Sequence, residues 1–174
     1  DFSGFSTQSA FLDYDSDGDL DMFLLNHNIK SLPVLNILST KEIIKTEDPI
    51  SGVRLFRNDK GANGQPFFSD VTQKANILSH SISYGLGIGV ADFNQDGWQD
   101  MYVSNDYTAP DYLYINDQKG GFINQINERL GHFSQFSMGN DVSDVNNDGA
   151  IDIFTLDMLP EDNRRQKLLM APDN

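Results

Sequence analysis

One nine-residue pattern occurs three times in this chain, and it constrains the fold more than any other feature. The copies are Asp13-Tyr14-Asp15-Ser16-Asp17-Gly18-Asp19-Leu20-Asp21, Asp92-Phe93-Asn94-Gln95-Asp96-Gly97-Trp98-Gln99-Asp100 and Asp144-Val145-Asn146-Asn147-Asp148-Gly149-Ala150-Ile151-Asp152. Side-chain oxygens at positions 1, 3, 5 and 9 can converge on one point, and glycine at position 6 lets the backbone turn sharply. The position 7 carbonyl, from Asp19, Trp98 or Ala150, then faces inward as a further ligand. Hard oxygen donors in a flexible loop suit Ca²⁺, which takes six to eight of them, better than Mg²⁺ or a transition metal. Without a cation, carboxylates gathered this closely repel one another.

These loops differ from the helix-flanked calcium loop that places a bidentate Glu at position 12. Position 12 is here Leu24, Val103 or Thr155, none of which binds a hard cation, so position 9 must close the shell. The flanks also read as strands. Ser6–Leu12, Gly85–Ala91 and Ser137–Ser143 precede the loops; Met22–Asn26, Met101–Asn105 and Ile153–Asp157 follow them. In the first two copies the likeness continues. Arg54–Asp59 aligns with Tyr112–Asp117, and Phe67–Thr72 with Gly121–Ile126. Short apolar runs bounded by Asn, Asp and Gly favour strands over helices. Each unit thus reads strand, metal loop, strand, turn, strand, turn, strand. Four antiparallel strands, repeated, spell an all-β chain of β-propeller blades.

Alternation sharpens the expectation. Leu86, Ile88 and Val90 share one side of their strand, while Gly85, Gly87, Gly89 and Ala91 share the other. A glycine-lined side admits another backbone at close range, as where first strands crowd around a propeller axis. Met22–Leu25 is apolar on both faces, which suits a strand held between neighbouring blades. Phe56, Phe67, Phe68, Tyr112, Tyr114 and Phe122 are expected in inter-blade packing rather than in a ligand cage. The repeats span about 5–76, 84–131 and 136–174, within one partial propeller over 1–174. The first aspartates stand 79 and then 52 residues apart, and an insertion at 27–53 explains most of the excess. It has room for a short amphipathic helix projecting from one rim, or it packs on its own blade. The tail from Leu159 to Met170 has a helical signature: Pro160 early, acidic residues next, basic residues later.

The net charge of −14 resides largely in the three loops, and adding six charges from three divalent ions leaves −8. No basic stripe exists to neutralise phosphates, so nucleic acid is not an expected partner. Cysteine is absent, and no apolar run is long enough to span a membrane. The absence of cysteine fits either a reducing compartment or a secreted chain held together by metal; the second is preferred, because cytosolic Ca²⁺ is too scarce to fill weak sites. Three units are fewer than the four to eight blades of a closed propeller, so the remaining blades or another chain are expected to complete it.

Phe11-Leu12-Asp13-Tyr14-Asp15 through Asp21 and Val90-Ala91-Asp92 through Asp100 resemble FG-GAP/VCBS repeats, the blades of integrin-α-type propellers. Leu156 through Leu169 further resembles secreted bacterial proteins of the cartilage-acidic-protein-like (ASPIC/UnbV-associated) group. The resemblance implies a seven-bladed propeller, a secreted or cell-surface location, and binding rather than catalysis. The Phe-Gly and Gly-Ala-Pro signatures of integrin blades are replaced by Tyr84-Gly85 and Thr108-Ala109-Pro110. Two functions are therefore expected: a calcium-stabilised adhesion or binding scaffold that recognises protein or glycan through its rim loops, or an accessory part of a carbohydrate-uptake or degradation system. His27, His80 and His132 are scattered and no nucleophile elbow is present, so no catalytic residue is assigned.

Overall fold

The computed structural model describes residues 4–28, 37–61, 63–107, 109–134 and 136–158, with the backbone alone for 37–39. Among these, strands dominate. β1 (Phe5–Leu12), β2 (Asp21–His27), β3 (Arg54–Asn58) and β4 (Phe68–Asp70) form a four-stranded antiparallel meander. β5 (Gly85–Ala91), β6 (Asp100–Asn105), β7 (Tyr112–Asn116) and β8 (Phe122–Asn124) form a second. β9 (Ser137–Ser143) and β10 (Asp152–Asp157) begin a third in the same way. Each metal-type loop joins the first two strands of its sheet, as the repeat pattern requires.

The sheets stack face to face, and the middle one shows how. All of β6 and β7 is buried. Met101, Val103, Tyr112 and Tyr114 pack with Leu12, Phe23 and Leu25 of the first sheet. Their neighbours Tyr102, Leu113 and Ile115 face the other way, with Ile153 of β10 packed against them. A period of two thus divides each strand between two neighbouring blades. That is why these strands are apolar on both faces. Within Met22–Leu25 of β2 only alternate residues are fully covered: Phe23 and Leu25 are buried, whereas Met22 and Leu24 are half-buried. The expectation of two covered faces therefore holds for β6 and not for β2. Likewise Tyr112, Tyr114 and Phe122 are core residues, but Phe67 and Phe68 lie exposed at the outer strand β4. Phe122 also lies on an edge strand, β8, but it packs against Tyr14 of the first unit, a neighbour that Phe68 at the same register position of β4 lacks among the described residues.

The glycine side of β5 makes the close approach. A Cβ on Gly87 would sit 2.9 Å from the Asn140 backbone nitrogen and 3.0 Å from Gly139 Cα, both in β9. On Gly89 it would strike Val142 at 2.5 Å. At Gly87, therefore, β5 and β9 meet backbone to backbone.

The insertion contains the helix α1 (Ile37–Ile44), and its later part folds back. Glu47 bridges to His80, and Gly52 has φ +85° with Ser79 and His80 directly against it. Buried Arg54 fixes this return by donating to Ser79 Oγ and to the carbonyls of Asp48 and Val53. The short helix expected in the insertion is thus present, and the later part of the insertion packs back on its own blade. A second short helix, α2 (Ile126–Arg129), follows β8. The expected tail helix lies outside the described residues.

Candidate metal centre

The three loops share one backbone. Position 6 has φ of +89°, +89° and +88° at Gly18, Gly97 and Gly149. Position 4 is also left-handed, at +57°, +60° and +60° for Ser16, Gln95 and Asn147. The position 1 carboxylate causes the turn by accepting two N–H groups. Asp13 takes those of Asp17 and Gly18 at 3.0 and 3.1 Å. Asp92 takes those of Asp96 and Gly97 at 3.0 and 2.8 Å, and Asp144 those of Asp148 and Gly149 at 3.0 and 2.9 Å. The position 7 N–H groups of Asp19, Trp98 and Ala150 donate to Asp17, Asp96 and Asp148 at 3.1, 2.9 and 2.8 Å.

Position 9 fastens the loop to its sheet. Asp21 is fully buried, and its two oxygens accept from Tyr14 N and Asn58 N at 3.2 and 2.9 Å. Asp100, also fully buried, does the same for Phe93 N and Asn116 N at 2.9 and 2.8 Å. Asp152 accepts from Val145 N at 3.1 Å. The start of the strand and the far end of the third strand are thereby tied to one carboxylate.

Position 3 distinguishes the loops. Asn94 and Asn146 each donate Nδ2 to the position 5 carboxylate, at 2.8 and 3.0 Å, and accept that residue's N–H through Oδ1. Their amides compensate the loop internally. Asp15 has no such donor. Its oxygen, with those of Asp13 and Asp21, forms a group lying within 4.8 Å of one another. This is the only such cluster of three carboxylates or imidazoles among the described residues. Asp15 Oδ1 and Asp19 Oδ1 are buried without a hydrogen-bond partner. Burial, then the charges of Asp17 and Asp13, push the Asp15 carboxyl upward, while Arg57 opposes them. Burial likewise raises Asp21 to about 6, against the pull of the Asn58 and Tyr14 N–H groups. Burial raises Asp100 as well. Orphaned oxygens and carboxylates that resist ionisation are what a divalent cation would relieve, so the donor set of the first loop fits one. Hard oxygen donors alone, with no sulfur or imidazole, fit Ca²⁺ among the common ions.

Several participants were not visible in the repeat pattern. Lys60 Nζ lies 2.9 Å from Asp19 Oδ2 and places an ammonium beside the first loop. Gln99 Oε1 accepts the Asp13 N–H at 2.8 Å, and Gln95 Nε2 donates to the Gly149 carbonyl at 3.0 Å. Asn116 Nδ2 reaches the Tyr14 carbonyl at 2.7 Å, and Gln118 Nε2 reaches Asp96 at 2.9 Å. These links run loop to loop along a single rim. The only sequence hint was the repeated Asn-Asp at Asn58-Asp59 and Asn116-Asp117.

Meander sheets stacked face to face, each with its acidic turn between the first two strands, define a repeat protein built from propeller-type blades. Residues 92–155 match the family model for the FG-GAP-like repeat, so this stretch of the chain carries an FG-GAP-like repeat. The match opens on Asp92, the first residue of the second loop, and runs through the third loop into β10. No curated protein matches the chain.

Proposed function

We propose that this chain is a calcium-stabilised binding scaffold of the extracellular space or cell surface, in which the metal is structural and recognition belongs to the rim away from it. The observation that carries this reading is the first loop, where three carboxylates close within 4.8 Å and buried oxygens are left without donors. In this reading Asp13, Asp15, Asp17 and Asp21 hold one ion with the Asp19 carbonyl. Asp92, Asn94, Asp96 and Asp100 hold a second with the Trp98 carbonyl. Asp144, Asn146, Asp148 and Asp152 hold a third with that of Ala150. Bound Ca²⁺ supplies charge neutralisation, and the loops' own N–H network supplies the turn. Protein thus fills the coordination shell and leaves no place for a substrate, which favours binding over catalysis.

The remaining blades of a propeller, or another chain, complete the stack. The exposed apolar face of β10 supports this, since Phe154 and Leu156 are 63% and 58% exposed where their counterparts in β6 are buried. Kinship with the secreted bacterial group belongs to the same proposal, as does an accessory role in carbohydrate handling. Thermal unfolding with and without a chelator tests the metal. The midpoint is expected to fall in EDTA and to recover when Ca²⁺ is restored; an identical curve in both would sink the reading.

A further inference from the structure

The second strand of each sheet meets a different fate on its outer edge. β2 pairs there with β3 through Met22, Phe23 and Leu24, and β6 pairs with β7 through Met101, Tyr102 and Val103. Among the described residues β10 pairs with β9 alone. The second unit maps onto the third at the 52-residue spacing of their loops. Main-chain bonding agrees: the Asp106 N–H donates to the Tyr84 carbonyl at 3.0 Å, and the Met158 N–H to the Phe136 carbonyl at 3.2 Å. Ile153, Phe154 and Thr155 are therefore the counterparts of Met101, Tyr102 and Val103.

Two further features fall on this edge. Asp21 and Asp100 each accept an N–H from the third strand of their sheet, that of Asn58 at 2.9 Å and that of Asn116 at 2.8 Å. Asp152 accepts the Val145 N–H at 3.1 Å, and no second N–H reaches it among the described residues. The other feature is a histidine. His80 stands five residues before β5, and its Nε2 is hydrogen-bonded at 2.5 Å to the hydroxyl of Tyr112, a buried residue of β7. His132 stands five residues before β9. It lines a cavity of about 260 Å³ together with Tyr102, Leu130, Phe133, Ile153 and Thr155. Tyr112 pairs in register with Val103, the counterpart of Thr155. A tyrosine placed opposite Thr155 would therefore enter this cavity beside His132, as Tyr112 sits beside His80.

We propose that the outer edge of β10 is a docking site for a β-strand donated by a second polypeptide, antiparallel to β10 and carrying tyrosine opposite Thr155. The proposal rests on the scaffold reading and specifies the partner that completes the stack. In strand addition the main chain supplies hydrogen bonds, and pockets for alternate side chains select the sequence. β7 shows what this edge selects. Its Tyr112 and Tyr114 face the preceding sheet and lie in the core, while Asn116 gives its N–H to the position 9 carboxylate. The incoming strand places its own rings opposite Thr155 and Ile153, and its next alternate residue donates to Asp152. A small molecule in the cavity would leave the β10 main chain and Asp152 unpaired, whereas a strand satisfies all three features at once. The chain's own β3 and β7 are already paired on both edges. Residues 159–174, next along the chain, hold no aromatic side chain and cannot supply the ring.

The test is NMR titration of the whole chain in excess CaCl₂ with a synthetic peptide copying residues 111–117. The peptide is expected to shift the resonances of His132, Ile153, Phe154 and Thr155, and to slow exchange of those β10 amides that do not pair with β9. The same peptide with Tyr112→Ala should bind at least tenfold more weakly, and with Tyr112→Phe severalfold more weakly. In the chain variant His132→Ala, the parent and Tyr112→Phe peptides should bind alike, because the hydroxyl has lost its partner. His132 is exposed, so this variant should melt with the parent. The proposal is overturned if the peptide leaves β10 unshifted or adds to β4 or β8 instead. It is equally overturned if the outer β10 amides are protected before any peptide is added, or if His132→Ala still discriminates between the two peptides. Melting in EDTA, measured on the same samples, separates the two readings. Strand binding without any calcium effect would remove the metal assignment alone, and a calcium effect without strand binding would remove the docking site alone.

Discussion

At the level of single residues, position 9 of each loop does two jobs. The buried carboxylate of Asp100 satisfies the N–H groups of Phe93 and Asn116 whether or not an ion is present. Asp100→Ala should therefore cost about 1–3 kcal/mol for each abandoned donor, and the loss should persist in chelator when stability is measured by urea denaturation. Gly97→Ala offers a cleaner case. Nothing lies within 4 Å of the added Cβ, so its cost is the left-handed backbone alone, at φ +89°. About 1–2 kcal/mol is expected. Lys60 competes for the first loop by pairing with Asp19. Removing it in Lys60→Met should tighten Ca²⁺ binding there severalfold, as read by titration calorimetry, with the other loops unchanged. The glycine of position 6 was legible from sequence because no other residue takes that φ readily. The left-handed Ser16, Gln95 and Asn147 were not, since their identities differ and only the shared hydrogen-bond ring imposes the conformation.

At the level of elements, every described strand coincides with a segment picked out by the repeat, within one or two residues at each end. The reason is that period-two burial on both faces leaves a strong signal in short runs such as Met101–Asn105. What the runs could not reveal was which partner each face would meet. Phe68 and Phe122 hold the same register position in β4 and β8, yet one is exposed and the other enclosed, because exposure depends on whether a neighbouring sheet covers that face. Gly87→Ala probes the contact between first strands. The new methyl meets Asn140 N and Gly139 Cα, which are backbone atoms unable to swing away. A loss of about 1–3 kcal/mol is expected from overpacking, larger than for Gly97→Ala if the two blades are rigidly apposed.

His80 offers a second probe at this scale. It lies beneath the folded-back insertion, hydrogen-bonded to Tyr112 Oη, and burial pushes its imidazole down to about 4. The unfolded chain binds that proton more readily, so stability is retained above the ordinary histidine range and lost as pH falls through it toward 4. The loss amounts to about 3 kcal/mol at most. Carboxyls raised by burial, Asp111 among them, titrate with the opposite sign. The comparison to make is therefore the difference between the parent and His80→Gln at pH 7 and pH 4.5. The parent should lose more.

At the scale of the whole molecule, the proposed ions would add to the stability that stacking of the sheets supplies. With Ca²⁺ at ten times its dissociation constant, each filled loop adds about 1.4 kcal/mol, and three add about 4 kcal/mol. That is a large part of the margin of an ordinary domain, so the EDTA effect should be plain rather than subtle. The apolar side of β10 should make the chain self-associate as concentration rises, and Phe154→Glu should suppress this in light scattering. The architecture was readable because the repeat supplied strand order and register at once. The cavity beside β10 was not. Its lining residues Tyr102, His132 and Thr155 share no motif and come together only when one blade settles on the next.

The glutamines that cross from loop to loop carry one more implication. Gln99 holds the backbone of Asp13, and Gln95 holds that of Gly149, so the second loop grips both of its neighbours at the points where their turns form. Ordering the middle turn therefore prepares the two beside it, and each of them returns the favour in equal measure. Titrated ions should enter as a team, with a Hill slope above one that falls toward one in the double variant Gln95→Ala/Gln99→Ala.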